Sequence, residues 1–219
     1  MRTTFFICCL FFIFSCKEVR PADALDMYFE NPQPINDSEL KKIPSKYLGR
    51  YSDTDSVLLI VEDKIIYSEQ FYVASAHQSE MDSVMVLFER KDGKLIEKGT
   101  GDVWELKNKG DSIQLRKKWR DTLFRLSNRQ RAKRIHGKLV LNFKKDSLWS
   151  VKILSLENKN LKLKSFGSPA DLVKWDSITK LKSRMIDSST YVLKPTRKEF
   201  STILQIKKLG YDKIYNKIQ

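Results

Sequence analysis

The amino-acid sequence predicts a mainly β fold: an antiparallel meander forming a barrel, a curved sheet or a sandwich, finished by short C-terminal helices. Three observations predict it. Between Tyr51 and about Phe166, apolar and polar residues alternate with a period of two, the pattern of strands with one face buried. Turn signals such as Asp92-Gly93, Lys109-Gly110-Asp111 and Asn158-Lys159 punctuate that stretch at the short spacing typical of all-β domains. No long helical pattern alternates with the strands, which argues against a parallel α/β arrangement.

The chain opens with Met1-Arg2-Thr3-Thr4 and continues as an apolar run from Phe5 to Phe14. A spanning helix needs about 20 apolar residues, and this run has half that length. A cationic start followed by a short apolar stretch is a secretory signal peptide, here residues 1–15. The junction Ile13-Phe14-Ser15-Cys16 resembles a lipobox: an aliphatic residue, a tolerant position (here the bulkier Phe14), a small residue and a cysteine. That resemblance implies that Cys16 receives diacylglycerol, becomes the mature N-terminus and is acylated again. Each buried methylene contributes about 0.8 kcal/mol, so several chains hold a protein on a bilayer where one does not. All three cysteines, Cys8, Cys9 and Cys16, lie in this segment. The body therefore has no disulfide and no thiolate metal ligand. The expected location is the bacterial cell envelope, lipid-anchored, at the outer membrane. Lys17-Glu18-Val19-Arg20 leaves the periplasmic and surface faces both open.

Residues 16–44 read as a lipidated N-terminus and extended tether, because Pro21 and the Asn31-Pro32-Gln33-Pro34 segment favour extended backbone. A short helical turn is expected at Asp37 or Ser38. Residues 45–219 read as one β-rich domain, entered at Gly49 ahead of Tyr51. Val57 to Val61 is an apolar strand, Glu62-Asp63 a turn, and Ile65, Ile66 and Tyr67 begin a strand running on through Phe71 and Val73. Val84 to Phe88 follows as a strand. Asp92-Gly93 marks a hairpin, since both positions tolerate positive φ. Trp104 and Leu106 alternate with charged residues, as do Ile113 and Leu115, and Arg120-Asp121 separates these from Leu123 to Leu126. Leu139, Leu141 and Phe143, then Trp149, Val151 and Ile153, then Leu161 and Leu163 complete the alternation.

From about residue 168 the pattern turns helical. Ser168-Pro169-Ala170-Asp171 starts a helix through Trp175 and Ile178, with proline at its first position. Tyr191-Val192-Leu193 is one more strand. Thr196 and Glu199 form a capping box for a second helix, whose apolar face is Phe200, Ile203 and Leu204 and whose stop is Gly210.

Asn31-Pro32-Gln33-Pro34, Ile43-Pro44, Gly49-Arg50-Tyr51, Leu123-Phe124-Arg125-Leu126-Ser127, His136-Gly137-Lys138, Leu141-Asn142, Trp149, and Leu193-Lys194-Pro195-Thr196 with Glu199-Phe200 form a recognisable set. Over nearly the whole mature chain it is similar to uncharacterised lipoproteins of the Bacteroidetes type, a group with no activity to transfer. Gly49 two residues before Tyr51, with a helix at the end of the chain, is also similar to lipocalin-like barrels, which normally carry tryptophan at that aromatic position. This second resemblance concerns fold and implies no ligand.

Formal net charge is +14. The densest basic stretch runs from Arg116 to Lys138 with Asp121 as its only acid. Within it, Arg116, Lys117, Lys118, Arg120, Arg129, Arg131 and Arg134 are a candidate anion-binding face. Export argues against nucleic acid, leaving anionic envelope lipids or glycans. The plainer alternative is solvent-facing lysines that discourage edge pairing of strands. Trp119, set among Lys117, Lys118 and Arg120, is the candidate for ligand stacking, against a simple cation–π contact. Trp104 and Trp149 read as core or rim residues.

His77 and His136 are far apart and lack partners at metal spacing, and neither a nucleophile elbow nor a phosphate-cradling glycine loop is present. No catalytic set, metal or cofactor is expected. The expected role is a non-enzymatic binding module, tethered to the membrane, for an envelope lipid, glycan or protein. The alternatives are an accessory or scaffold subunit of an envelope complex and a carboxylate-dependent hydrolase of envelope polymers.

Overall fold

The computed structural model describes residues 23–218. The signal peptide and Cys16 lie outside the described residues. In chain order the elements are β1 (Asp26–Phe29), β2 (Gly49–Ser52), β3 (Leu58–Val61), β4 (Ile65–His77), α1 (Met81–Met85), β5 (Phe88–Lys91), β6 (Lys94–Glu97), β7 (Val103–Lys109), β8 (Ser112–Arg125), β9 (Gln130–Ile135), β10 (Lys138–Lys145), β11 (Leu148–Glu157), β12 (Asn160–Ser165), α2 (Pro169–Ile178), β13 (Arg184–Asp187), β14 (Thr190–Leu193), α3 (Arg197–Ile203) and β15 (Tyr211–Ile218).

The strands form one mainly antiparallel sheet in the order β9-β10-β11-β12-β15-β2-β3-β4-β8-β7-β6-β5, with β1, β14 and β13 added beside the start of β11. Among the described residues only the β1–β14 pair is parallel. Among the described residues the sheet does not close into a barrel. It curls around one core, in which Tyr51, Leu59, Ile66, Phe124, Leu139, Leu154 and Leu161 meet. The opening beside β9 is crossed by the loop ahead of β2. Leu40 N donates to Ala132 O at 2.8 Å and Ile43 N to Asp63 O at 2.7 Å, and Ile43 and Tyr47 fill the gap as buried side chains. A second core lies on the other side of β10 and β11, where α2 and α3 bring Trp175, Phe200 and Ile203 against Phe29, Val140 and Val151. β10 is therefore buried on both faces: Leu139 and Leu141 point to the first core and Val140 to the second.

Local chemistry explains several elements. Asp92-Gly93, His136-Gly137 and Asn158-Lys159 are two-residue turns with positive φ at both positions, which matches the strand twist. α2 starts at Ser168 and α3 at Thr196, each with a reciprocal capping box. Gly210 (φ 67°) sits where an added Cβ would lie 2.3 Å from Ser165 O, so only glycine passes there.

Five local expectations are corrected. First, the stretch expected to be a tether through Pro44 belongs to the folded body from Asp26 onward. Met27, Tyr28 and Phe29 are buried between β14 and β11. The proline segment is clamped: Gln33 N donates to Asn142 Oδ1 at 2.6 Å and Asn142 Nδ2 to Gln33 O at 2.8 Å. Lys133 Nζ, itself buried, donates to Pro32 O at 3.0 Å and Pro34 O at 2.9 Å. The Gln33-Pro34 peptide is cis. Second, no helical turn forms at Asp37 or Ser38; the Asp37 carboxylate instead accepts from Arg197 Nη2 at 3.0 Å. Third, Val84 is not in a strand but in α1, because Val84 and Met85 cover a small core rather than enter a ladder. Fourth, Arg120-Asp121 does not divide two strands. β8 runs through it, with Arg120 opposite Glu69 and Asp121 opposite Ser68, and absorbs one extra residue where Thr122 pairs with Tyr67 and Phe124 with Ile66. Fifth, α3 ends at Ile203, well before Gly210.

Candidate functional site: an aromatic and cationic arm

β4 and β8 have 13 and 14 residues and pair along their whole length. At about 3.4 Å per residue, thirteen paired positions span about 44 Å. Their first pairs line the main core. Their far halves leave it and form an arm with β5, β6, β7 and α1, held by a small core of Phe88, Leu95, Trp104 and Leu115.

Strand alternation sorts the arm into two faces. One face carries a row across five strands: Tyr72 of β4, Lys117 of β8, Trp104 of β7, Leu95 of β6 and Arg90 of β5. Trp119, opposite Gln70, stands two residues along β8 on the same face. Tyr72 meets Trp104 edge-on, centroids 5.7 Å apart. Lys117 Nζ lies 5.6 Å from the Trp104 ring centre and 5.7 Å from that of Trp119, and forms an ion pair with Asp102. The hydrogen bond from Lys117 holds the Asp102 carboxyl below its ordinary pKa. Trp104 is buried, whereas Tyr72 is 62% and Trp119 51% exposed. They make a diagonal pair of open rings, close enough for both to touch one ligand.

The opposite face carries Phe71, Val73 and Val103, exposed by 45%, 45% and 49%. Around them lie Arg116, Lys118 and Arg120. The Arg116 guanidinium covers the Phe71 ring at 4.4 Å and that of Arg120 covers Tyr67 at 4.3 Å. Glu69, only 5% exposed, receives Lys118 at 2.9 Å and Arg120 at 2.6 Å. Burial raises the Glu69 pKa, but the hydrogen bonds from Lys118 and Arg120 outweigh it and hold the carboxyl below its ordinary range.

The basic run is thus not one surface. Lys117 faces away from Arg116, Lys118 and Arg120 because neighbours on a strand point to opposite faces. Arg129 sits in the connection to β9, and Arg131 and Arg134 are on β9 itself, at the other end of the strand order. Arg131 pairs with Glu39 at 2.6 Å and lies over Trp149 at 4.9 Å, while Arg134 is exposed. Trp149 and Trp175 are core residues. His77 ends β4 and His136 sits in the β9–β10 turn, bonded to Ser79 and Ser201. Among the described residues no group of His, Cys, Asp and Glu could hold a metal ion, and no helix is long and apolar enough to cross a membrane. Two surface clefts, of about 170 Å³ beside Gln33 and Thr196 and about 310 Å³ beside Tyr28 and Asp187, are at or below the lower end of small-molecule sites.

The arm also concentrates exposed apolar side chains. Of fourteen large exposed hydrophobics among the described residues, seven (Phe71, Tyr72, Val73, Val86, Leu87, Val103 and Trp119) fall between residues 71 and 119. That stretch is a quarter of the described residues, so exposed apolar side chains are about twice as dense there as in the described residues overall. Trp119 stood out in the sequence as an aromatic among cations. Phe71, Tyr72 and Glu69 did not, because only the β4–β8 register brings them to it.

Fold and arm together define a mainly β, curled-sheet protein with an arm that carries its own small core. Comparison with protein-family models, with curated proteins and with solved structures returns no match.

Proposed function

We propose that the chain is a lipid-anchored bacterial envelope protein, without chemistry of its own, that binds an envelope lipid, glycan or protein through the β4–β8 arm. One observation carries this reading: Trp119 and Tyr72 stand open on one face of an arm that has its own supporting core. Open aromatic rings on a braced sheet face give stacking area at small ordering cost, as large rigid side chains do at interfaces generally. The anchor supports the same reading. The ten residues from Cys16 to Asp26 reach at most about 36 Å. Acylation at Cys16 would therefore keep the arm within a molecular length of its membrane.

The test is native mass spectrometry of the mature chain carrying Cys16→Ser, purified from its own envelope. The expected result is a reproducible added mass that disappears when Trp119→Ala and Tyr72→Ala are combined. An unmodified mass, or an adduct indifferent to both substitutions, contradicts the proposal.

A further inference from the structure

The two faces of the arm differ in charge. On the face of Phe71 and Val73, the register places two lysines of β7, one each of β6 and β5, and Arg116, Lys118 and Arg120 of β8 against three acids, Glu69, Glu89 and Glu105. Glu69 is buried beneath Lys118 and Arg120, so its charge is covered by theirs. The Trp119 face has no such excess: Lys117 and Arg90 stand with Glu97 and Asp121, and Asp102 occupies Lys117.

We infer that the cationic face of the arm docks on an anionic phospholipid surface, with Phe71, Val73 and Val103 entering the headgroup layer and Arg116, Lys118 and Arg120 meeting lipid phosphates. The inference rests on the reading of the arm as the contact element and adds a membrane contact on the face opposite Trp119 and Tyr72. Three features select a bilayer. The face is an open sheet whose Phe71, Val73 and Val103 side chains are exposed, which suits an extended surface better than a small ligand. Its apolar residues need a partner that removes them from water, which a hydrated polysaccharide does poorly and the headgroup layer does well. Its cations are interleaved with the apolar residues, Arg116 and Lys118 of β8 lying between Phe71 and Val73 of β4 and Val103 of β7, complementary to the negative surface potential of an anionic leaflet.

The experiment uses the mature chain with Cys16→Ser, so that no acyl chain contributes, and sedimentation with vesicles of phosphatidylglycerol in phosphatidylcholine or of phosphatidylcholine alone. Binding is expected on the first and not on the second, and is weakened by salt. Arg116→Gln with Lys118→Gln, which leaves Glu69 without a repelling neighbour, lowers the partition about 30-fold, since each cation near such a surface is worth about a factor of five. Arg116→Glu with Lys118→Glu lowers it further. Lys198→Glu with Lys207→Glu makes the same charge change in and after α3 and leaves binding within about twofold. Melting curves confirm that each variant is folded. Equal loss in both charge-reversed pairs would assign the binding to net charge alone and overturn the inference. So would equal binding to both vesicles, or capture of a soluble acidic polysaccharide with no vesicle binding. If the Trp119-dependent adduct persists while vesicle binding is absent, the membrane partner is wrong and the arm as contact element stands. If both are absent, the reading of the arm falls with it.

Discussion

Replacing Asn142 by alanine removes the clamp that joins the N-terminal segment to the sheet. Asn142 is fully buried. Its side chain accepts from Gln33 N at 2.6 Å and donates to Gln33 O at 2.8 Å, with longer bonds of 3.3 Å to Arg131 O and Val140 O. Alanine leaves the Gln33 N–H and C=O without these partners, and each buried unpaired group costs about 1–3 kcal/mol. The expected loss is about 2–6 kcal/mol, a large share of the 5–15 kcal/mol typical of a whole domain. In urea denaturation, with a slope of about 2 kcal/mol/M, the midpoint falls by about 1 M or more. Asn142→Leu keeps most of the volume but restores neither bond, so it should lose as much. Limited proteolysis should then cut near Asn31 to Ile35 in both variants. A loss under about 1 kcal/mol, or recovery in Asn142→Leu, would refute the claim that pairing holds this segment.

The arm should behave as its own cooperative unit. Trp104→Ala empties the small core at a local cost of about 3–5 kcal/mol, and hydrogen exchange should accelerate over residues 88–117 while 139–154 keep their protection; uniform acceleration would contradict this. Burial holds the Lys133 pKa below its ordinary 10.5, so the unfolded chain binds that proton more readily and stability from this group rises as pH climbs toward 10.5. Lys133→Met should abolish that rise in the denaturation midpoint, and an unchanged alkaline profile would exclude the assignment. Glu69 has the opposite sign: its lowered folded pKa contributes stability above the ordinary carboxylate range that is lost as pH falls through the folded value. Glu69→Gln should flatten the acid side of the thermal-stability profile of the arm, and an acid limb as steep as in the parent would count against the Lys118–Glu69–Arg120 arrangement.

Elements whose signals are local were legible in the sequence. The Asn158-Lys159 turn, the alternation of β10 to β12, and the caps at Ser168 and Thr196 each involve residues within four positions of one another. The misread elements depend on distant partners. β1 is a strand only because Thr190 to Leu193 lies beside it, and its prolines looked like linker until Asn142 and Lys133 met them. β15 escaped notice because Tyr215 is its only buried residue; β12 and β2 on either side make it a strand. Arg120-Asp121 looked like a break because two adjacent charges are rare in a strand, yet Arg120 finds Glu69 across the ladder. The same logic governs the site. The basic run did not mark one surface, because Arg129, Arg131 and Arg134 lie at or beside β9, while alternation along β8, once its register with β4 is known, separates Lys117 from Arg116, Lys118 and Arg120.

The most direct test of the central claim uses the fact that no cysteine follows Cys16. In the Cys16→Ser background, a single thiol is placed at Val73→Cys on the arm or at Val173→Cys on the exposed side of α2. Alkylation rates are then measured with and without membranes from the native envelope. Alkylation at position 73 should slow on the membranes while the rate at 173 stays unchanged. Protection at 173 with none at 73 would contradict it.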